Sequence, residues 1–430
     1  MSRCGIPELS FRIPQFSLIP LQRRRPGRAA PEQNTHTDHS GKASQEGCFP
    51  FRIMKKTLLA LALAGSLSAL ATSASAAEAQ VYGVIDVGLT YMHTDSDLPN
   101  ADATDNLTMT NAQEFGSRFG IRGSEDLGNG SKISFVLENG FKSDTGELDQ
   151  SGRLFGREAS LTWSGDFGAL TAGRLPIFGS VLSANGLFRA VDPLFANYTS
   201  AFGSGHVSAS MWTRVDNAVS YRSPTVAGFT GYAMYSFKND SKADTTSREG
   251  MADADRYASL AVRFQQGPVE AVLVADTTMY GNQRTNKFND DGVTVTLGGN
   301  YKFDNGVKLV GFYQYFEDQE LVTVIRGGIE KATVQEAGGY GFVTGYGFNV
   351  GVNVPVAGGV AKAMIGHRDM HNQAEVDFKR TIGAVGYDYN LSKRTAVYAM
   401  GGYSYSKIET AATEYKPSGC EITVGMVHRF

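Results

Sequence analysis

Cysteine is almost missing from this chain. Of 430 residues three are cysteine, and two of those, Cys4 and Cys48, lie before Met54, so Cys420 is left alone in the rest. No disulfide framework and no zinc-ligand spacing can be built from that, and no metal site is expected. Long apolar runs are missing too: none offers the roughly 20 residues that a transmembrane helix needs. There is no excess of positive charge. The formal net charge is -3, and no long lysine and arginine run appears outside the first 28 residues, which argues against a nucleic-acid partner. Proline is scarce after residue 76: only Pro99, Pro176, Pro193, Pro224, Pro268, Pro355 and Pro417 remain.

Catalytic groups are sparse as well. Seven histidines are present; two precede Met54, His93, His206 and His371 are expected in loops, and His428 on an outward face. A hydrolase would need a nucleophile or an acid-base group beside an oriented partner, and no such arrangement stands out. His367 and His371 in "HRDMH" have the spacing of metal ligands on a helix, but they fall at a strand-to-loop junction, where positions four apart do not converge in that way. "GYGFNVG" has misplaced glycines for a dinucleotide site and no helix after it. No cofactor is expected.

What is abundant is glycine, 50 residues, with 19 tyrosines, a composition that suits strands and turns. Met54 to Ala76, "MKKTLLALALAGSLSALATSASA", carries a Lys55-Lys56 n-region, an apolar stretch and an Ala74-Ser75-Ala76 cleavage motif, so it reads as a secretory signal peptide. Residues 1–53 then read as a non-native extension from a start codon placed too early; a basic targeting arm is the alternative. Removal of residues 1–76 takes away 10 of the 40 basic and 4 of the 43 acidic residues, leaving an exported, acidic chain of net charge -9 over 77–430.

From "QVYGVIDVGLTY" to "EITVGMVHRF" sixteen alternating segments recur. Tight breaks such as "EDLGNG", "GDFG" and "FDNG" alternate with longer insertions near 93–111, 143–156, 176–212, 239–253, 278–290, 318–336, 368–378 and 407–419. One trimmed end and one elaborated end is the pattern of a transmembrane barrel, and every late proline falls in a proposed turn or loop. In "VTVTLGGNYKF" Val293, Val295, Leu297, Tyr301 and Phe303 share one face against Thr294, Thr296, Asn300 and Lys302. A lysine or arginine turned to mid-membrane costs roughly 2–4 kcal/mol, so the polar face is the lumen. A soluble sandwich would instead put its polar faces outermost. The expected fold is therefore all-β, a sixteen-stranded antiparallel transmembrane barrel. It must close, because hydrocarbon offers no partner to an open edge, and the last strand should pair with "VYGVIDVGL" and anchor Phe430 in the turn-side aromatic girdle.

"GSRFGIRGSEDLGNGSKISFVLENGF", "GRLFGREASLTWSGDFGALTAGR", "RVDNAVSYRSPTVAGFTGYAMYSF", "YDYNLSKRTAVYAMGGYSY" and the terminal Phe430 together resemble the general porins of Gram-negative outer membranes, of the betaproteobacterial type. The resemblance implies an outer-membrane homotrimer amid lipid and lipopolysaccharide. It also implies a third loop, residues 176–212, folded into the lumen opposite wall arginines, and passage of ions and small hydrophilic solutes.

Alternation assigns the pore-lining residues. Ser117, Phe119 and Ile121 are read outward, so Arg118 and Arg122 point in; Val219 and Tyr221 place Arg214, Asp216, Ser220 and Arg222 in the lumen; Lys132, Ser134 and Glu138 follow from Ile133, Phe135 and Leu137. Strict alternation would turn Arg174 to lipid, but a bulge at Gly173 would re-aim it, and Arg157 has the same difficulty. The third loop carries Arg189, Asp192 and His206, a single acid among them, which leads to an expected mild anion preference. A substrate-specific channel is the rival, with Phe178, Phe188, Phe195, Tyr198 and Phe202 as a binding track or, alternatively, as packing of the loop against the wall.

Overall fold

The computed structural model describes residues 78–111, 113–182, 185–191, 199–209, 214–282, 290–320 and 328–430. The expected extension, signal peptide and cleavage site, together with Asp192, Phe195 and Tyr198, lie outside the described residues. Eighteen strand segments follow in order: β1 (Glu78–Asp95), β2 (Thr104–Asn111), β3 (Arg118–Gly128), β4 (Ser131–Gly140), β5 (Glu158–Gly165), β6 (Gly168–Pro176), β7 (Arg214–Arg222), β8 (Phe229–Ser236) and β9 (Arg256–Gln266). Then come β10 (Val269–Met279), β11 (Gly292–Lys302), β12 (Lys308–Glu320), β13 (Phe342–Val356), β14 (Gly359–Asn372), β15 (Asp377–Asn390), β16 (Thr395–Glu409), β17 (Glu414–Tyr415) and β18 (Ser418–Arg429). A short helix, α1 (Lys331–Glu336), precedes β13.

These segments make sixteen crossings, as the alternation predicts, because β2 and β3 both pair with β1 and β17 and β18 both pair with β16. All pairings are antiparallel, and β1 closes the sheet on β18, with Val84 opposite Arg429 and Asp95 opposite Ser418. Phe430 continues the ladder: its N–H donates to the Gly83 carbonyl at 3.1 Å and its carbonyl accepts from Gly83 at 3.0 Å, while its ring occupies the space where a Gly83 side chain would be.

The burial is inside out relative to a soluble protein. Leu260, Leu297, Ile365 and Val385 are 56–67% exposed, whereas Thr296, Gln314, Ser404 and Thr423 on the opposite faces are buried. Among the described residues no helix is long and apolar enough to cross a membrane, and a barrel crosses with strands instead. The turn side is tight where the sequence asks for it: Asn129 and Gly130 both take positive φ (51° and 73°), the geometry of a two-residue hairpin turn whose twist matches its strands.

The loop side is shorter than expected in places. Residues 104–111, 368–372 and 418–419 are strand rather than insertion, and His93 and His371 stand on β1 and β14, not in loops. At 368–372 the reason is that outward positions are polar; in 104–111 only the outer end is, since Leu107 and Met109 are exposed apolar groups. Asp105, His367, Asp369 and Lys379 sit on ladders that continue past the apolar band, so both faces read as loop. Ser117, read as outward, is buried at the break between β2 and β3, where its Oγ donates to the Asp86 carbonyl at 3.1 Å.

Candidate functional site: a loop-filled lumen with charged walls

The third long connection leaves the wall after Pro176 and turns inward. Its apolar residues Ile177, Phe178, Leu182, Phe188, Phe202 and Val207 are all buried in one cluster with lumen-facing Val272, Val274, Phe312, Met364 and Ile382. Three inner-face glycines in mid-strand make the room. A side chain on Gly298 would strike the Phe188 ring, on Gly402 the Phe202 ring, and on Gly347 the Val207 carbonyl. Glycine inside a strand often marks such a close approach. Phe188 meets Phe312 edge-on at 6.3 Å and Phe178 packs on Tyr232 at 5.4 Å. Phe178, Phe188 and Phe202 are therefore packing groups, and no aromatic track of theirs faces the channel.

Charge fixes the far end of the loop. Glu421 Oε2 accepts the N–H groups of Ser200 and Ala201 at 2.6 and 2.9 Å, and Arg380 Nη2 donates to the carbonyls of the same two residues at 3.2 Å. Arg368 Nη1 donates to the His206 carbonyl at 3.2 Å. Both arginines share Glu330 Oε1, at 2.8 and 3.2 Å, and the Tyr340 hydroxyl donates to the same oxygen. Burial alone would raise the Glu330 carboxyl, but the Arg368 and Arg380 guanidiniums outweigh it and hold the group well below the usual carboxylate range. His206 is buried as well, with Nε2 at 2.7 Å from the Thr199 carbonyl; burial first, and then Arg380, push it down to about 3, so it is neutral. Placed by sequence among the residues of the constriction, it faces the wall and not the water.

The predicted wall residues form two groups. Arg118 Nε lies 3.9 Å from Glu138 Oε2, Arg157 Nε lies 2.7 Å from Oε1 of the same carboxylate, and the Tyr82 hydroxyl donates to it at 2.9 Å. The second group centres on Asp216, which binds Arg174 and, at 3.0 Å, Arg153. Arg174 reaches it because pairing between β6 and β7 slips between Gly173 and Leu175, with Gly173 at φ 136° and Asn217 at φ 49°. The register slips beside Gly173, but the extra residue is Asn217 on β7, so Gly173 is not the host that the sequence reading made it. Arg214 borders the first group, its Nε donating to the Arg157 carbonyl at 2.8 Å.

Arg122, Lys132 and Arg222 are elsewhere. Arg122 bonds Gln80 Oε1 at 2.8 and 3.0 Å over the Tyr82 ring. Lys132 and Arg222 line a turn-side cavity of about 570 Å³ with Arg263 and Asp166. A second turn-side cavity, about 460 Å³, is lined by Lys302, Lys308, Lys362, Glu270 and Asp388. On the loop side a cavity of about 350 Å³ has the opposite balance, Arg214 and Lys238 against Asp240, Asp244, Asp255 and Glu320. Arg189 sits in a 3₁₀ turn, Leu187–Val191, with its guanidinium 5.6 Å from the Phe115 ring. Among the described residues no three histidine, cysteine, aspartate or glutamate side chains converge as a metal site.

Sequence reasoning missed Arg368, Arg380, Glu330 and Glu421. Two signals were available. Parity from Ile365 and Val385 turns Arg368 and Arg380 inward, and the inner-face glycines 298, 347 and 402 mark where another backbone comes close.

The model of the Gram-negative porin family matches residues 59–409. An outer membrane porin protein of Bordetella pertussis is 34% identical over 408 residues, covering 88% of this chain and 100% of the relative. The solved anion-selective porin from Comamonas acidovorans superimposes with a TM-score of 0.57 at 25% identity, covering 82% of this chain and 100% of that one. OmpT of Vibrio cholerae in its trimer form, 15% identical with a TM-score of 0.56 over 83% of this chain and 100% of its own, shares the fold. With its third loop drawn inside a closed barrel that is oily without and charged within, the chain belongs to the Gram-negative porin family, the multi-pass β-barrel channels of the outer membrane.

Proposed function

We propose that this porin is a passive diffusion channel for ions and small hydrophilic solutes with a mild preference for anions. The observation that carries the preference is the balance of lumen charge on the turn side. The two cavities there hold six lysines and arginines against three acids, Asp166, Glu270 and Asp388. A narrow, low-dielectric passage focuses that excess and raises the local concentration of the opposite sign. On the wall Arg118 and Arg157 share Glu138, and Arg174 and Arg153 are balanced by Asp216 and Asp240, so the turn-side cavities supply most of the excess. The relative from Comamonas described as anion-selective agrees with the sign.

In the same reading residues 54–76 are removed on export, the mature chain begins at Ala77 and assembles as a homotrimer, and its outer surface meets lipid and lipopolysaccharide. It has no enzymatic step. Reversal potentials of the purified protein in a planar bilayer under a salt gradient test the selectivity: a potential of anion sign is expected, and clear cation preference would overturn it.

A further inference from the structure

The second crossing of the barrel is broken, and the break is not a simple bulge. Asn111 at the end of β2 is opposite Val87, and Arg118 at the start of β3 is opposite Val84, so the chain spends six residues between these pairings where the partner strand spends two, Ile85 and Asp86. A usual bulge adds one residue; a surplus of four has to leave the wall.

It leaves inward. Glu114 is buried and lies 3.1 Å from Lys362 Nζ, which also binds Asp388. From β3 to Lys362 on β14 the sheet passes through β1, β18, β16 and β15, five neighbour steps of about 4.8 Å each. Two side chains cannot span that arc from the wall, so the backbone at 114 projects into the lumen. Asp86 fixes it there: Oδ2 accepts the N–H groups of Glu114 and Phe115 at 2.9 and 2.6 Å, and Oδ1 accepts the Tyr398 hydroxyl at 2.7 Å.

The projection carries Phe115 between two cations. Arg429 of β18 lies 4.5 Å from its ring, and Arg189 of the third loop 5.6 Å. An aromatic face attracts a guanidinium without neutralising it and leaves its N–H edge available to a passing anion. That is the contrast with the wall groups. Arg118 and Arg157 share Glu138, and Arg174 and Arg153 share Asp216, whereas among the described residues neither Arg189 nor Arg429 makes an ion pair.

We propose that residues 113–117 build a second constriction beneath the third loop, and that Arg189 and Arg429, stacked on Phe115, are its selectivity-determining residues for small anions. The proposal rests on the anion-preferring reading of the pore, and one set of measurements separates the two. Chloride-to-potassium permeability ratios are taken from reversal potentials of the full-length protein in planar bilayers. The wild-type ratio tests the preference itself; the change from wild type to variant tests the constriction. Arg189→Gln with Arg429→Gln should lower the ratio about threefold or more, while Arg118→Gln, whose charge is already shared with a carboxylate, should lower it by less than about half as much. Phe115→Leu, which keeps the bulk and removes the stacking face, should fall between. Arg189→Gln alone lies on a loop outside the barrel ladder, so it reports even if the double variant fails to assemble, and it too should lower the ratio. An unchanged ratio in Arg189→Gln, or a larger effect from Arg118→Gln than from the double variant, would overturn the proposal.

Discussion

Glu330→Gln keeps the shape of a buried side chain and removes the one negative charge that Arg368 and Arg380 share. All three groups are nearly inaccessible, at 2–3% exposure. Breaking an exposed ion pair costs about 0–1 kcal/mol; breaking a buried one by deleting a partner costs about 3–5 kcal/mol, because a desolvated charge is left behind. The lower end applies here, since both guanidiniums keep carbonyl acceptors on the third loop, at His206, Ser200 and Ala201. A cost of about 3 kcal/mol is a change of roughly a hundredfold in the ratio of seated to unseated loop. The β-ladder loses nothing, so the cost falls on the loop and not on the barrel. In single-channel recordings Glu330→Gln should raise the frequency of partial closures by about two orders of magnitude, with thermal unfolding of the barrel, followed by circular dichroism, almost unmoved. A single variant as quiet as the wild type would refute the role given to this cluster.

Acid should loosen the same seat. His206 titrates near 3 when folded against an ordinary value of 6.5, so the unseated form takes up a proton that the seated form refuses, and stability is lost as pH falls from about 6.5 towards 3. Glu330, held low, adds a loss of the same sign below its ordinary 4.5, and His206→Gln should flatten the upper part of a closure-frequency profile against pH. Gly347→Val should displace the loop at Val207 and change the single-channel conductance while the protein still folds as a barrel; an unaltered conductance would mean the loop does not need that space. Gly83→Val should push the Phe430 ring from its place over the first strand and slow assembly into detergent-resistant barrel, measured by gel mobility of unheated samples.

The outer face of this barrel was legible in the sequence because lipid imposes one rule on every strand. Val293, Val295 and Leu297 had to share a side, and their register gives Thr294 and Thr296 the other. The same parity turns Arg118, Glu138 and Asp216 inward, whereas the slip beside Arg174 comes from Asn217 on the neighbouring strand, which the glycine before Arg174 did not reveal. Past the apolar band the rule lapses. Asp369 and Lys379 face outward on a regular ladder, and their polarity made strand look like loop. The inner face obeys no comparable rule, since water, a carboxylate, an aromatic ring or a returning loop can each satisfy an inward arginine. Parity could turn Arg368 and Arg118 to the same lumen without telling that one holds the loop's backbone and the other a wall glutamate.

That ambiguity bears on how such a channel selects ions. Counting inward arginines overstates the field, because most of the buried ones are tied to something. Arg157 and Arg118 share Glu138, Arg174 and Arg153 share Asp216, and Arg368 and Arg380 share Glu330. At a separation of about 4 Å two opposite charges cancel most of their field beyond a Debye length of about 8 Å, so each pair acts mainly on its own surroundings. In the proposed reading the field a passing ion meets then comes from the residues left over, the strand-borne cations of the turn-side cavities and those brought in where the chain leaves the wall. The third loop brings Arg189 inward, the broken second crossing brings Phe115 to meet it, and the last strand supplies Arg429 beside the ring. Selectivity in that reading accordingly draws on the irregular segments as well as on the regular strands that line the turn-side cavities.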